Sequence, residues 1–348
     1  MNLLIFEFAT AIGLQNPIIT VEGKAILEGL LEDLNYRSVD YLISENPPIK
    51  ISKKNIESDR KCNPINLKED LLSWLDKNIR NYDACLPVAP EEEFILYHLT
   101  KKIENEGIKI IGSSSDAVLT CSDKFKTYNS LKDSFPFIKT HKIFFSELKN
   151  YKSIFNGEKM VVKPADGVSC SGVHIVRSYA EFIKASVKLK IVTKLPYFLL
   201  QNFIDGQSAS VSLLSNGKTA IPLSLNLQNI QLNDGEVCYT GGKVPFKHKL
   251  SSNAKKISKD AVETIDGLKG YVGVDLIFDD NAKEVHILEV NPRLTTSFVA
   301  LRNILNFNLG EAIIDAVEGK LPSEIMLDGS LTFSKEEDHL KIDYPTQL

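Results

Sequence analysis

The sequence predicts an α/β protein in which an N-terminal Rossmann-like domain, built on a parallel sheet, precedes a region of α+β texture. Two observations carry that reading. Over roughly the first 115 residues, strand-like apolar runs alternate with helix-period segments, the pattern of strands joined by helical crossovers. Beyond that, chiefly from residue 158, short runs rich in β-branched residues alternate with Gly, Asn and Asp turns, the pattern of hairpins. A length of 348 residues is too great for one small core and suits two or three packed subdomains.

In chain order, LLIFEF reads as the first strand. TVEGKAILEGLLEDL follows with Ala25, Ile26, Leu30 and Leu34 at helical spacing, and DYLI is a second strand. SENPPIKISKKNIESDRKCNP has no apolar period and reads as a loop or weakly ordered insert. LKEDLLSWLDKNI is a helix and YDACLPVAP a strand ending in a loop. EEEFILYHLTKKIENEG is a helix stopped by Gly107, and IKIIGSS a short strand. DAVLTCSDKFKTYNSLKD reads as helical and SASVSLLSNGKTAIPLSLN as a hairpin about Asn216-Gly217. DGQSAS and DGEVCYTGG mark further turns, SNAKKISKDAVETIDGLKGY a helix. From about residue 321 the chain looks irregular, and no internal repeat occurs.

Several function classes are set aside. A net charge of −4 offers no basic field for nucleic acid. The longest apolar runs, such as YVGVDLIF, are too short to span a bilayer, so no membrane partner is expected. MNLLIFEFATAIG lacks a basic leader region and meets an acid at Glu7, so it reads as a strand rather than a signal peptide. The five cysteines are odd in number and dispersed, with no C-x-x-C. They fit a reducing cytosol and give neither a disulfide frame nor a zinc site.

The chemistry concentrates in YVGVDLIFDDNAKEVHILEVNPRLTTSF, residues 271–298. Two apolar runs flank a polar turn. Antiparallel pairing about residue 282 sets Asp275 opposite Glu289, Ile277 opposite Ile287 and Gly273 opposite Asn291. Alternation then gathers Asp275, Glu289 and Asn291 on one face, with Val274, Leu276, Phe278, Leu288 and Val290 on the other. Opposed like charges destabilise a sheet, and two close carboxylates need compensation. A divalent cation supplies it. Hard oxygen ligands suit Mg²⁺, which completes its shell with phosphate oxygens and water. Gly273 is expected to leave room for that cargo. Taken alone, the segment reads equally as a surface hairpin with solvated acids.

Phosphate-binding parts are then expected elsewhere. MVVKPADGVSCSGVHIV offers a strand reaching Lys163, a loop with Gly167 and Gly172, and a return strand at Val173–Val176. Lysine suits phosphate oxygens, and small residues let backbone N–H groups approach an anion. No G-K-[ST] follows, so this is not a Walker A loop. By itself the stretch also reads as an ordinary hairpin, with Cys170 a packed or merely exposed thiol. Lys124, in CSDKFKTY, follows the helix-capping types Ser122 and Asp123; its plain reading is a capped helix bearing solvated lysines.

Assembled in order, SDKFKTY, VVKPADGVSCSGV, YFLLQNFIDGQSASVS and VGVDLIF…HILEVNPRLTTSF resemble the ATP-grasp superfamily, specifically its carboxylate–amine ligases, over roughly residues 80–320. The resemblance implies a Rossmann-like domain at 1–115, a small subdomain with the glycine loop at 116–198, a metal-binding subdomain at 199–320 and a tail at 321–348. The two α+β subdomains would grip ATP between them. It implies phosphate contacts from Lys124 and Lys163, a lid at Gly167–Gly172, and an adenine-holding linker at Gln201, Asn202, Phe203 and Ile204. Asp275, Glu289 and Asn291 would hold Mg²⁺ or Mn²⁺, as two ions, and Arg293 would grip an acyl phosphate, with Lys163 and Arg293 as the catalytic pair. Many members carry glutamate at the positions of Gln201 and near Ser208, so nucleoside recognition departs from the pattern here.

Within the superfamily, FEFATAIG, EGKAILEGLLEDL and NPRLTTSF are similar to archaeal tyramine–glutamate ligases of methanofuran biosynthesis, and also to the lysine-joining ligase of pyrrolysine assembly. The first is the preferred reading. It implies small amino-acid and amine substrates, a cytoplasmic location, and leaves a homodimer open. QLNDGEVCYTGGKVPF, with Gly241 and Gly242, is expected to shape the acceptor side or to be a plain turn. Two alternatives stand: a nucleotide-binding protein of the same fold without catalysis, and a phosphotransferase that releases its phosphorylated product.

Overall fold

The structure, a computed structural model, describes residues 1–34, 38–45, 62–233, 235–279, 281 and 283–344, apart from the side chains of residues 17 and 18. Two sheets organise them. The first has five parallel strands in the order Cys62–Leu67, Val39–Ser44, Leu3–Glu7, Ala84–Val88 and Lys109–Ile110. Every residue of the two strands Leu3–Glu7 and Ala84–Val88 is buried, as befits parallel strands covered on both faces. Leu3 and Ile5 pack against Ile26, Leu27 and Leu30 of the helix Pro17–Asp33. Leu4 and Phe6 face Trp74, Leu75 and Leu99 from the helices on the other side.

Two elements differ from expectation here. Cys62–Leu67 is a strand where the end of a polar loop was expected; Pro64 is tolerated because this is the sheet's edge. Residues 46–61 of that loop lie outside the described residues. The helical stretch after residue 115 is two helices, Ser115–Ser122 and Lys124–Leu131. They break at Asp123, whose backbone is extended (φ −105°, ψ 104°) and whose carboxylate accepts from Phe125 N at 2.9 Å.

The second sheet is antiparallel and has two lobes. Thr140–Phe144, Tyr197–Asn202, Met160–Pro164 and His174–Val176 form one, covered by the helix Tyr179–Val192. Glu236–Val244, Ala220–Asn233, Gln207–Asn216, Lys269–Asp279 and Glu284–Asn291 form the other, covered by the helix Ser251–Thr264. The lobes join through the pair Glu236–His174 and the flanking backbone bonds Ile175 N to Gly235 O and Val237 N to Val173 O, and again where Phe137, just before the strand Thr140–Phe144, lies beside Ile287, whose N donates to Pro136 O at 2.8 Å. The chain's end is not irregular. Leu331–Lys335 pairs with Glu236–Val244, and Leu340–Asp343 with Leu331–Lys335, burying Leu331 and Phe333 in the core shared with the first sheet.

The strands Lys269–Asp279 and Glu284–Asn291 pair antiparallel, with Asp275 opposite Glu289 and Gly273 opposite Asn291. Their turn includes residues 280 and 282, which lie outside the described residues. Beyond Asp275 the register shifts: Leu276 faces Ile287 and Ile277 faces His286. A bulge at Leu288–Glu289 sets two residues against one. It reverses two expected positions. Ile287 lies in the core with Val274, Leu276 and Phe278, while Leu288 turns to the opposite side.

Glu7 ends the first strand almost fully buried. Its oxygens accept from Ala9 N (3.1 Å) and Thr10 N (2.8 Å), capping the short helix Phe8–Ile12. Burial nevertheless raises its carboxyl from 4.5 to about 7. Below pH 4.5 folded and unfolded states both carry the proton and this group's contribution is complete. Between 4.5 and 7 only the folded state retains it, so stability falls with rising pH, by roughly 3 kcal/mol in all.

Two outcomes are expected. In urea titrations Glu7→Gln flattens the loss of stability between pH 5 and 7.5 relative to the wild type; parallel curves would contradict this. Ile287→Ala costs about 2–5 kcal/mol by chemical denaturation, whereas Leu288→Ala costs a small fraction of that. The reverse order would place the bulge elsewhere.

Candidate active site

A cavity of about 400 Å³ opens between the two lobes and reaches the helix Pro17–Asp33 of the first sheet's layer through Glu22. Of the site residues predicted from sequence, Lys124, Lys163, Gly167, Gln201, Asn202, Phe203, Ile204, Asp275, Glu289, Asn291 and Arg293 line it.

Asp275 and Glu289 meet across the hairpin, on the wall that the bulge turns toward the cavity. Asp275 accepts from Gln228 Nε2 (3.1 Å) at one oxygen and from Asn291 Nδ2 (3.2 Å) at the other. Burial and the Glu289 charge hold its carboxyl well above the usual range. Burial also acts against ionised Glu289, but the ammonium groups of Lys124 and Lys163 outweigh it and keep that carboxyl below its ordinary value. The two acids are therefore inequivalent, and the cations decide which one is charged.

Lys124 owes its place to the Asp123 break. Its backbone N donates to Ala165 O (2.8 Å), and its Nζ lies 3.2 Å from Glu289 Oε2 and donates to Gly167 O. Lys163 sits on the facing strand Met160–Pro164, 7% exposed, where burial lowers its pKa. One lysine from each side thus flanks the acid pair.

The loop after Lys163 approaches the cavity at Gly167, where an added Cβ would lie 2.3 Å from Pro164 Cγ. Gly172 does not line the cavity. It turns the chain with φ +71°, and a Cβ there would crowd Leu189 at 2.9 Å. Ser169 and Cys170 also take left-handed backbone (φ 50° and 62°). Cys170 is partly buried at the cavity lining, and burial pushes its thiol up to about 12, which disfavours the thiolate a nucleophile requires.

At the other end, Ile138, Val161 and Ile175 provide apolar walls beside Phe203, with Ile277 and Leu288 opposite. Gln201 is buried and donates from Nε2 to Thr140 Oγ1 at 2.7 Å, so its amide is anchored within the protein. Ser208 lines the cavity too.

The room expected at Gly273 is already filled: a Cβ there would lie 2.6 Å from Thr295 Cγ2. Gly241 and Gly242 sit inside the strand Glu236–Val244 rather than in a turn. Added Cβ atoms would strike Phe333 O at 2.1 Å and Leu227 O at 2.2 Å, so these glycines permit close strand packing.

Glu91 was not anticipated. It is 3% exposed, and its Oε2 receives Arg293 Nε at 2.8 Å and lies 2.7 Å from the guanidinium's terminal nitrogen. Arg293 is thereby fixed from the first sheet's layer. Asp166 was also missed; buried, it accepts from Thr193 Oγ1 (2.7 Å) and Glu93 N (3.3 Å). The usable signal was positional: Glu91 follows the carboxyl end of a parallel strand, where open α/β sheets place ligand-binding groups.

Among the described residues no cluster of three His, Cys, Asp or Glu side chains could hold a metal alone. Asp275, Glu289 and Asn291 offer only oxygen donors from side chains that can turn to a cation, two of them carboxylates competing for one charge. That donor set fits a hard divalent ion whose remaining ligands come from phosphate and water.

Residues 121–297 match the ATP-grasp domain, and residues 52–118 match the pre ATP-grasp 3 domain. The chain is 36% identical over 329 residues to the tyramine–L-glutamate ligase of Methanocaldococcus fervens, covering 91% of this chain and 98% of that one. An ATP-grasp superfamily protein from Archaeoglobus fulgidus superposes with a TM-score of 0.70 at 24% identity, over 98% of both chains. The biotin carboxylase domain of the Hydrogenobacter thermophilus 2-oxoglutarate carboxylase, solved with MgADP, superposes with a TM-score of 0.73 at 15% identity, over 96% of this chain and 74% of that one. With the two-lobed antiparallel sheet and the cavity between its lobes, these matches show that the chain belongs to the ATP-grasp domain family.

Proposed function

We propose that this protein is an ADP-forming ligase that joins L-glutamate to tyramine through an acyl phosphate. The single observation that carries the reading is the Asp275–Glu289–Asn291 wall flanked by Lys124 and Lys163, in a chain that matches a tyramine–L-glutamate ligase over nearly its whole length. In this reading ATP lies between the lobes, its adenine against Val161, Phe203 and Ile204 and its phosphates at the lysines. Two Mg²⁺ or Mn²⁺ ions, bound by Asp275, Glu289 and Asn291, would neutralise phosphate charge. The units proposed are 1–115, 116–198, 199–320 and 321–348, the middle two gripping the nucleotide. No helix among the described residues is long and apolar enough to cross a membrane, and small-molecule substrates suffice.

A carboxylate oxygen of glutamate attacks the γ-phosphorus, and the bond to the β-bridging oxygen breaks to release ADP. Such a transfer is governed by positioning and charge neutralisation. Lys163 and Lys124 offset the charge moving toward ADP. Arg293, held by Glu91, presents its fork to the acyl phosphate. The loop at 167–172 closes over the site and keeps water from the reactive mixed anhydride. The amine nitrogen then attacks the carbonyl carbon, the C–O bond to phosphate breaks, and the amine loses a proton.

Hydroxylamine tests this chemistry. With ATP, Mg²⁺ and glutamate, glutamyl hydroxamate is expected together with ADP; ADP without hydroxamate would favour a phosphotransferase, and neither product a non-catalytic nucleotide binder. Glu289→Ala is expected to abolish metal-dependent ADP release while the protein stays folded by circular dichroism. Arg293→Lys should lower kcat more than it raises KM for ATP. Unchanged rates in both variants would remove this hairpin from the active site.

A further inference from the structure

Three segments far apart in sequence meet beside the cavity, two of them lining it through Glu22 and Tyr239 and the third standing just outside its lining. Glu22 comes from the helix Pro17–Asp33, Tyr239 from the strand Glu236–Val244 and Lys335 from the strand Leu331–Lys335. Glu22 Oε2 accepts from Thr296 Oγ1 at 2.9 Å, which sets it three residues from Arg293. Lys335 pairs with Glu22, and its Nζ lies 4.8 Å from the centre of the Tyr239 ring. Both side chains are nearly closed to solvent, at 12% and 14% exposure. Among the described residues neither Glu22 Oε1 nor Lys335 Nζ has a hydrogen-bond partner beyond this mutual ion pair.

A nearly buried ion pair adds little stability over apolar packing, because desolvation of both charges opposes their attraction. Here it adjoins a cavity. Glu22 is also the one acid lining that cavity, among the described residues, that does not belong to the Asp275–Glu289 pair. A carboxylate beside an aromatic face is the chemistry that recognises an ammonium group. Lys335 already places an ammonium against this carboxylate and ring, just outside the cavity lining.

We propose that Glu22 and Tyr239 form the subsite for the ammonium group of the amino acid whose carboxylate is phosphorylated, and that Lys335, displaced from Glu22, pairs with that substrate's unreacted carboxylate. This rests on the ligase reading and names the residues that select its acid substrate. The pair is read as a zwitterion receptor: each member exchanges its partner for the matching end of the substrate. Arg293 and the metal-binding wall remain for the carboxylate that reacts.

The test uses the intact chain, ATP, Mg²⁺ and hydroxylamine, and compares three acids. Glutamate carries both groups, glutarate lacks the ammonium, and 4-aminobutyrate lacks one carboxylate. The readout is the ratio of kcat/KM between acids within one variant, so it does not depend on the fraction of protein folded. The wild type is expected to favour glutamate over both analogues. Glu22→Gln should reduce the glutamate-to-glutarate preference by roughly 10- to 100-fold, the range for losing a charged hydrogen bond, with KM for ATP nearly unchanged. Lys335→Met should reduce the glutamate-to-4-aminobutyrate preference instead, and Tyr239→Leu should act like Glu22→Gln, more weakly. Unchanged ratios in an active Glu22→Gln protein, or a wild type indifferent to the ammonium, would overturn the subsite and leave the ligase reading intact. A wild type that forms no hydroxamate with any amino acid would overturn the ligase reading itself.

Discussion

Two carboxylates that face each other across a β-hairpin set the terms for the rest of this molecule. Asp275 and Glu289 sit directly opposite one another beside a cavity, an arrangement a sheet does not tolerate without compensation. In the structure the compensation comes from Lys124 and Lys163, which hold Glu289 in its charged form while Asp275 is driven toward its neutral one. Those lysines belong to different elements, one to the helix Lys124–Leu131 and the other to the facing lobe. Removal of either acid would leave buried ammonium groups with less to face. A cation–phosphate pair entering the cavity would relieve both imbalances together, with the metal taking the acids and the phosphates taking the lysines.

The parallel-sheet layer is coupled to this centre by ion pairs rather than by a continuous sheet. Glu91 grips Arg293 just beyond the acid wall. Asp33 and Glu32 grip Arg302 one helix further on, with Asp33 also accepting from Gly310 N at 3.0 Å. Such partly buried, multiply bonded guanidinium pairs are costly to break by removing one member. They fix the orientation of the segment that carries Arg293, and the Rossmann-like layer thereby helps to shape the cavity wall. The two lobes meet at two places: the pair Glu236–His174 with its flanking backbone bonds, and the acid hairpin, where Phe137 lies beside Ile287 and Ile287 N donates to Pro136 O at 2.8 Å.

Much of this was legible from the chain. Period-2 alternation set Asp275, Glu289 and Asn291 on one face, and the capping chemistry of Asp123 accounts for the position of Lys124. The bulge was not legible. One extra residue in a strand leaves no mark in composition, yet it exchanged Ile287 and Leu288 between core and cavity. Gly273 was misread because the group that fills its space, Thr295, follows four residues after Asn291 and reaches back only once folded. Glu91, Glu22 and Lys335 were hidden for a different reason. Each is a charged residue in an unremarkable stretch, and its meaning comes from tertiary neighbours 202 residues away for Glu91 and on the last strands for Glu22.

The opposed acids are expected to bind a divalent ion only together with nucleotide phosphate. Mn²⁺ electron paramagnetic resonance measures this directly. The wild type with ADP is expected to remove the free-Mn²⁺ signal well beyond the sum of protein alone and ADP alone. Asp275→Asn/Glu289→Gln is expected to lose that excess while remaining folded. Equal Mn²⁺ uptake by the wild type and the double variant in the presence of ADP would contradict it.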